Sequence, residues 1–454
     1  MAATATRPLS PRAAPILPPM SDRHAGRDRQ RLTASVTDLG VVRQRALAVA
    51  LADDARSPIE VDASLDEIER LVDTAGSDVV DTAIQRRAKP DPATYIGKGK
   101  AQELAGLCQA LDLDLVVIDG ELTPVQQRNL QKILGVDVVD RVALILDIFA
   151  LHATSRAGMA QVELAMNRYR LPRLRGKGVE MSRLGAGIGT RGPGETKLES
   201  DRRRVLKRIS QLEDELEHLV TVRATQRKSR VRAGVPSIAL VGYTNAGKSS
   251  LLNRLTGSEV LVEDRLFSTL DATVRKLALP TGREAVLSDT VGFVRNLPHT
   301  LVEAFRSTLE EAVDTDLLIH VADAAADDPV RQIAAVRDTL AEIGAGSVPE
   351  LLVLNKVDIA APVTVRRLSE LEPGAIAVSA VTGRGISRLL DAVDVALSAN
   401  ATDMEVLVPF DRGDVVDLIH RVGEVLSEAH DPDGTRIKAR IPDRHAESLS
   451  AFVA

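Results

Sequence analysis

Gly242-Tyr243-Thr244-Asn245-Ala246-Gly247-Lys248-Ser249 is the stretch from which the fold can be read. It lies between an aliphatic strand, Ser237–Val241 (SIALV), and a helix. GxxxxGK[ST] between a strand and a helix is a phosphate-binding loop, because its glycines let successive backbone N–H groups wrap an anion. Lys248 adds a point charge for the β- and γ-phosphates. The Ser249 hydroxyl is a hard oxygen donor suited to Mg²⁺.

Three downstream segments specify the nucleotide. Ala285–Ser288 runs into Asp289-Thr290-Val291-Gly292, where an aspartate ending a strand can hold Mg²⁺ through water and the Gly292 N–H can sense a γ-phosphate. Leu351–Leu354 runs into Asn355-Lys356-Val357-Asp358. The Asp358 carboxylate can accept from guanine N1–H and N2–H together, a donor pair that adenine lacks, so GTP is expected rather than ATP. Lys356 would lie along the base, and Asn355 would brace the loop. Ser379-Ala380 would offer a backbone N–H to guanine O6, and Val381 joins them among the expected GTP-binding residues. Between the phosphate loop and Asp289 lies Phe267-Ser268-Thr269-Leu270-Asp271. Thr269 is the expected threonine joining Mg²⁺ when the γ-phosphate is present, with Thr273 the competing choice. Phe293 stands where a switch glutamine orients water in Ras-like enzymes. Slow intrinsic hydrolysis follows, with the catalytic group unassigned and supplied by another element or a partner. Asn245 has two readings: a K⁺ ligand, or a residue that merely tolerates the loop's backbone.

Working outward, the chain divides into α/β units. Residues 235–399 form the nucleotide domain. Residues 41–150 alternate strand and helix signals: Val41–Leu51, Leu65–Val72, Val79–Ile84, Lys100–Ala110, Leu111–Asp119 and Pro124–Leu134, with Thr123 as helix cap and Pro124 at the first helical position. That alternation predicts a small parallel α/β domain. Residues 151–234 read as a long helical hairpin. Leu198, Val205, Ile209, Leu212, Leu216 and Leu219, with Arg202 filling one slot, keep heptad spacing, and Met159–Leu171 is the natural antiparallel partner. Between the two helices, Arg173–Gly194 carries seven glycines. Residues 400–454 predict a small α/β appendage, with strands at Met404–Val408 and Arg436–Ile441 and a helix over Val415–Ser427. Residues 1–40, rich in Ala, Pro and Arg, read as a disordered tail.

Composition sets bounds on function. The 454 residues allow roughly three domains. No apolar run approaches the ~20 residues of a spanning helix. A single cysteine, Cys108, excludes a disulfide framework, and its apolar setting reads as core. Aromatics are 2%, so base-stacking platforms are not expected. Net charge is −6, yet residues 168–232 hold 18 Lys/Arg against 8 Asp/Glu, so one basic segment sits in an acidic protein. A polyanion met by one surface and a solvated helix face both fit that charge.

Motifs outside the nucleotide domain resemble one family. They are Tyr95-Ile96-Gly97-Lys98-Gly99-Lys100, Glu121-Leu122-Thr123-Pro124-Val125-Gln126-Gln127-Arg128-Asn129-Leu130, Gln161-Val162-Glu163-Leu164-Ala165, Leu171-Pro172-Arg173-Leu174 and, strongest, Gly187-Ile188-Gly189-Thr190-Arg191-Gly192-Pro193-Gly194-Glu195-Thr196-Lys197-Leu198-Glu199. Over about residues 41–450 the chain resembles the HflX family of ribosome-associated GTPases. It departs at Gly185-Ala186-Gly187, where the family loop has a third glycine. The resemblance implies a Mg²⁺-dependent GTP hydrolase that binds the 50S ribosomal subunit and splits or rescues ribosomes under stress, with its N-terminal region inserted toward the peptidyl transferase centre. Arg173, Arg175, Lys177, Arg183 and Arg191 are then the expected rRNA phosphate contacts. A cytoplasmic, partly ribosome-associated monomer is expected. The Gly97–Lys100 turn has three readings: an rRNA phosphate site, a second nucleotide site such as one for ATP, or a plain helix entry. The alternative function is a GTP-regulated scaffold or RNA-binding protein acting through an intermolecular Ile209–Leu212–Leu216 seam, away from ribosomes.

Overall fold

The computed structural model describes residues 34–37, 40–54, 56–174, 193–232, 235–258, 266–267, 273–294, 312–399, 401–442, 446 and 448–454. Strand β2 (Gly40–Ala52) explains the N-terminal sheet. Its small residues Ala46, Ala48 and Ala50 face one hydrophobic cluster, and Leu47, Val49 and Leu51 face another. Period-two alternation with both sides apolar demands helices on both faces. On one side lie α1 (Pro58–Thr74) and α4 (Arg141–His152), which the alanines admit at close range. On the other lie α2 (Lys98–Ala110) and α3 (Pro124–Leu134). Strands β3 (Ser77–Arg86) and β4 (Leu115–Asp119) pair parallel to β2, and β5 (Asp137–Asp140) pairs parallel to β4.

Local chemistry sets the helix starts. Ser57 and Thr123 each form a capping box, with Glu60 and Gln126 respectively, ahead of a proline in the first turn. Cys108 is buried in the second cluster, as expected of a core residue.

Three expectations change here. The tail reading over 1–40 fails at Ala34–Thr37, which is strand β1, paired antiparallel with Gly40–Arg43; residues 1–33 are not described. The alternation Leu111–Asp114 is a turn, and the strand begins at Leu115. Asp112 takes φ +48°, while the Asp114 carboxylate accepts from the Arg45 amide, so the acidic residues close the turn. Unforeseen, β5 and α4 complete the domain.

Helix α5 (Arg156–Arg173) packs on α6 (Pro193–Arg232), whose 40 residues span about 60 Å. Ala160 and Leu164 meet Ile209 and Leu212, with Val205 and Leu216 flanking. The heptad seam is therefore filled from within the chain. Glu163–Arg208, Arg156–Glu215 and Arg168–Glu213 ion pairs border it. The side chain of Leu198 lies outside the described residues.

The nucleotide domain has a six-stranded sheet in the order β11 (Ile376–Ala377), β10 (Glu350–Asn355), β9 (Leu317–Asp323), β6 (Ser237–Gly242), β8 (Glu284–Asp289), β7 (Thr273–Ala278). All neighbours are parallel except β7 against β8. Helix α7 (Lys248–Thr256) follows β6; α8 (Pro329–Glu342), α9 (Pro362–Leu371) and α10 (Ile386–Ala399) follow in chain order.

The last unit is an antiparallel sheet ordered β12 (Ala401–Val408), β14 (Gly434–Pro442), β13 (Glu424–Asp431), covered by α11 (Gly413–Val422). The helix expected to reach Ser427 stops at Val422. Gly423 takes an extended conformation, and Glu424–Asp431 leaves as an edge strand.

Candidate functional site

The phosphate loop is held by contacts that only glycine permits at two positions. A Cβ at Gly242, φ +149°, would lie 2.2 Å from the Val321 carbonyl oxygen. One at Gly247, φ +89°, would lie 2.4 Å from Asn355 Nδ2. Gly247 also occupies the N-cap of α7 without a side-chain cap, so the helix presents backbone N–H groups to an anion. Lys248 is 6% exposed, and its Nζ donates to the carbonyls of Gly242 (3.1 Å) and Tyr243 (3.0 Å). Burial pushes its pKa down to about 8, against the opposing charge of Asp289. The Thr244 hydroxyl is buried without a hydrogen-bond partner, which suits a loop built around a polar ligand.

Ser249 Oγ donates to Asp289 Oδ2 at 2.6 Å, and Asp289 is fully buried at the end of β8. A hydroxyl and a buried carboxylate in contact are the hard-oxygen set that a Mg²⁺ ion requires, so the residues present fit that ion. Among the described residues no group of three or more His, Cys, Asp or Glu side chains could hold a metal by itself.

Asn355 joins two loops. Its Nδ2 donates to the Ala246 carbonyl at 2.9 Å, and its Oδ1 accepts from the Ala380 amide at 3.1 Å. The bracing role expected of Asn355 is present. The Ala380 N–H, expected to face guanine O6, is taken by that brace. Ser379, Thr382 and Gly383 amides are also bonded within the loop, whereas the Val381 N–H makes no such bond among the described residues. Lys356 adopts φ +62° and pairs with Asp323 at 2.8 Å, and Asp358 is exposed beside it.

Phe293 does not face the phosphates. It is 2% exposed among Tyr243, Leu318, Val336 and Leu340, inside the nucleotide domain. Its backbone zips the segment after Asp289 to the phosphate loop. The Thr244 amide donates to the Phe293 carbonyl at 2.7 Å, and the Phe293 amide donates to the Gly242 carbonyl at 3.1 Å.

Residues of both switch regions pack into the N-terminal domain rather than into their own. Leu266 and Phe267, with Val291 and Val294, share a cluster with Leu65, Ile68 and Phe149. The Phe149 and Phe267 rings meet edge-to-face at 4.7 Å. Tyr243 Oη donates to the Glu67 carboxylate, and Arg331 pairs with Glu60. Glu67, Arg141 and Asp119, whose buried ion pairs stand behind Tyr243, were not singled out from the sequence. The only hint was an aspartate at the end of an aliphatic strand, as at Asp289.

Ser268, Thr269, Leu270 and Asp271 lie outside the described residues. Thr273, the competing choice, opens β7 in register with Asp289. Of the expected rRNA contacts, Arg175, Lys177, Arg183 and Arg191 also lie outside them. Arg173 is corrected: its guanidinium is engaged internally. It donates to Gln127 Oε1 (2.9 Å), the Tyr169 (3.0 Å) and Leu122 (2.6 Å) carbonyls and Asp140 Oδ2 (3.2 Å), and stacks 3.5 Å over Tyr169. Four of the five N–H donors of this fork are used inside the chain, and the side chain is 17% exposed, so little of it is left for a phosphate. Gly97 caps α2 at φ +90° without a side-chain hydrogen bond, within a buried Tyr95-Ile96-Gly97 run.

Family models match almost end to end. One described as GTP-binding GTPase N-terminal matches residues 62–150, and one described as GTP-binding GTPase Middle Region matches 152–230. A model described as 50S ribosome-binding GTPase matches 237–356, and one described as HflX C-terminal domain matches 365–451. The last begins inside the nucleotide domain as folded, since Leu389, Val393 and Leu397 of α10 pack against Ile238 and Leu240. A GTPase HflX from Caldanaerobacter subterraneus subsp. tengcongensis is 45% identical over 90% of this chain and 94% of its own. A GTPase HflX from Escherichia coli strain K12 is 41% identical over 83% of this chain and 89% of its own. Among solved structures, a GTP-binding protein from the archaeon Sulfolobus solfataricus in complex with GDP is 27% identical, covers 78% of this chain and 99% of its own, with a TM-score of 0.39. No helix among the described residues is long and apolar enough to cross a membrane.

Proposed function

The chain belongs to the HflX family of GTPases, and from that premise we propose that its GTP-loaded form binds the 50S ribosomal subunit and splits or rescues ribosomes in the cytoplasm. The observation that carries this reading is the placement of both switch regions. Leu266, Phe267, Val291 and Val294 are packed into the N-terminal domain, so a rearrangement of the switches on GTP binding moves the domain that carries the hairpin.

Within the site, the α7 N-terminus and Lys248 bind the phosphates, and Asp358 with the Val381 amide selects guanine. Ser249, Asp289 through water and Thr269 would hold Mg²⁺, which supplies charge neutralisation at the phosphates when bound. Asn245 would place K⁺ beside them. With Phe293 turned into the core, no side chain from that position orients the attacking water. The group that completes the geometry is then contributed by the ribosome.

Arg175, Lys177, Arg183 and Arg191 supply phosphate contacts, with glycines allowing close approach to folded RNA. Arg173 belongs to the mounting of that loop rather than to its contacts. The scaffold alternative loses its main support, since Leu212 and Ile209 are covered by Ala160 and Leu164 of the same chain.

The test is pelleting with purified 50S subunits in a non-hydrolysable GTP analogue and in GDP. The protein should co-sediment with the analogue and be released in GDP. Deleting residues 175–192, which spares Arg173, should leave GTP binding intact and abolish pelleting. Equal pelleting in both nucleotides, or pelleting by the deletion variant, overturns the reading.

A further inference from the structure

We propose that helix α4 transmits the nucleotide state to the root of the glycine-rich tip, through a buried polar chain that begins at the phosphate-loop hydroxyl of Tyr243. The first link leaves the nucleotide domain: Tyr243 Oη donates to one oxygen of Glu67, and Arg141 donates to the other. Arg141 also donates to Asp119 Oδ1 at 2.8 Å. All four residues are buried, with Tyr243 at 5%, Glu67 at 8%, Arg141 at 3% and Asp119 at 4% exposure.

The second link starts one residue earlier, at Asp140, which is fully buried and caps α4 through the Ala143 amide. Its two oxygens also accept from Tyr169 Oη (2.9 Å), the Leu122 amide (3.1 Å) and Arg173 (3.2 Å). Arg173 and Leu174 are the last described residues before the tip. Consecutive residues at the start of α4 thus hold the phosphate loop on one side and the tip's root on the other. Near its far end, Phe149 bears on Phe267 of the first switch. The helix is buried continuously from Arg141 to Phe149, so it moves as a unit or not at all.

Charge sets the direction. The helix that carries Glu67 also presents Asp66, Glu69 and Asp73 to a cavity of about 690 Å³ that is lined on the other side by Asn245 of the phosphate loop and by Leu266. Asp78 adds to that wall, and Arg70 together with Arg43, which pairs with Asp73 (2.5 Å) and Asp78 (2.8 Å), offsets only part of it. Relative to Mg-GDP, Mg-GTP carries one more negative charge, and the phosphate loop that would hold it lines this cavity through Asn245. Loading therefore works against the Tyr243–Glu67 contact and loosens the Asp140 clamp. The ribosomal consequence rests on the function proposed above; the coupling between nucleotide and tip root does not.

Hydrogen exchange on the full chain tests it, comparing a non-hydrolysable GTP analogue with GDP in peptides covering residues 141–174. The native protein should exchange several-fold faster there with the analogue. Glu67→Gln keeps the shape and removes the charge that holds Arg141, and Tyr243→Phe removes only the hydroxyl. In both, the difference between the two nucleotides should collapse. A merely structural role would raise exchange equally in both states and leave the difference intact. If Glu67→Gln fails to fold, Tyr243→Phe decides. No nucleotide dependence in the native peptides, or a full difference kept in the folded variants, overturns the inference. Pelleting with 50S separates the two ideas: exchange coupling without pelleting defeats the ribosomal reading alone, and nucleotide-dependent pelleting without exchange coupling defeats this one alone.

Discussion

Asn355 offers the sharpest energetic test of the nucleotide site. Its side chain is 2% exposed and serves as a clamp between the phosphate loop, through the Ala246 carbonyl, and the guanine loop, through the Ala380 amide. Asn355→Ala strands one buried acceptor and one buried donor. At about 1–3 kcal/mol for each unsatisfied group, the clamp accounts for about 2–6 kcal/mol. That loss divides between folding stability and nucleotide affinity, and each ~1.4 kcal/mol falling on affinity weakens binding tenfold. Asn355→Asp is the companion variant. It keeps an acceptor for Ala380 but replaces the donor to Ala246 with a carboxylate oxygen, so it should also bind poorly despite its matching size. Equilibrium binding of a fluorescent GDP and urea unfolding of each variant give the two parts. If Asn355→Ala keeps its stability within about 0.5 kcal/mol, the range of an unremarkable surface change, and its affinity within twofold, the clamp does not exist.

Other perturbations read separate parts of the molecule. Gly292→Ala would place a Cβ 2.7 Å from Thr244 Cγ2 and 2.9 Å from Thr244 Cα; a melting-temperature loss equivalent to about 1–3 kcal/mol and slowed GTP turnover should follow, measured by calorimetry and phosphate release. Burial holds Lys248 at about 8, below its ordinary 10.5, so the unfolded chain binds more protons between those values. Stability of the nucleotide-free protein should therefore rise with pH across that window, while GDP affinity falls about tenfold per pH unit above 8, as a titration series would record. Leu212→Ala empties a fully buried position in the hairpin and should cost about 2–5 kcal/mol in urea unfolding. Its solution mass should match that of the native chain, because the seam it opens is intramolecular.

Local motifs were legible because their physics is local. The Gly242–Ser249 loop, the strand-ending Asp289 and the Asn355 brace each follow from a few adjacent residues, as do the Thr123 cap and the Ile209–Leu212 seam. Errors arose where distant partners decide. Leu111–Asp114 alternates like a strand, yet Asp114 is needed by the Arg45 amide. Helical spacing continued past Val422, but Gly423 and pairing with β14 override it. Arg173 lies in a basic segment that suggests RNA, and only the fold shows it beneath Leu122 and against Asp140. Glu67 and Arg141 are 74 residues apart in sequence and meet Tyr243 across a domain boundary, a relation that no window along the chain can display.

GTP turnover by the full chain with and without purified 50S subunits, in K⁺ and in Na⁺, bears most directly on the account. With Phe293 buried and no glutamine in its place, 50S should accelerate hydrolysis strongly over a slow basal rate. A requirement for K⁺ would assign Asn245 as its ligand. Turnover unchanged by 50S in either salt, with GTP still bound, would contradict the claim that the ribosome completes this site.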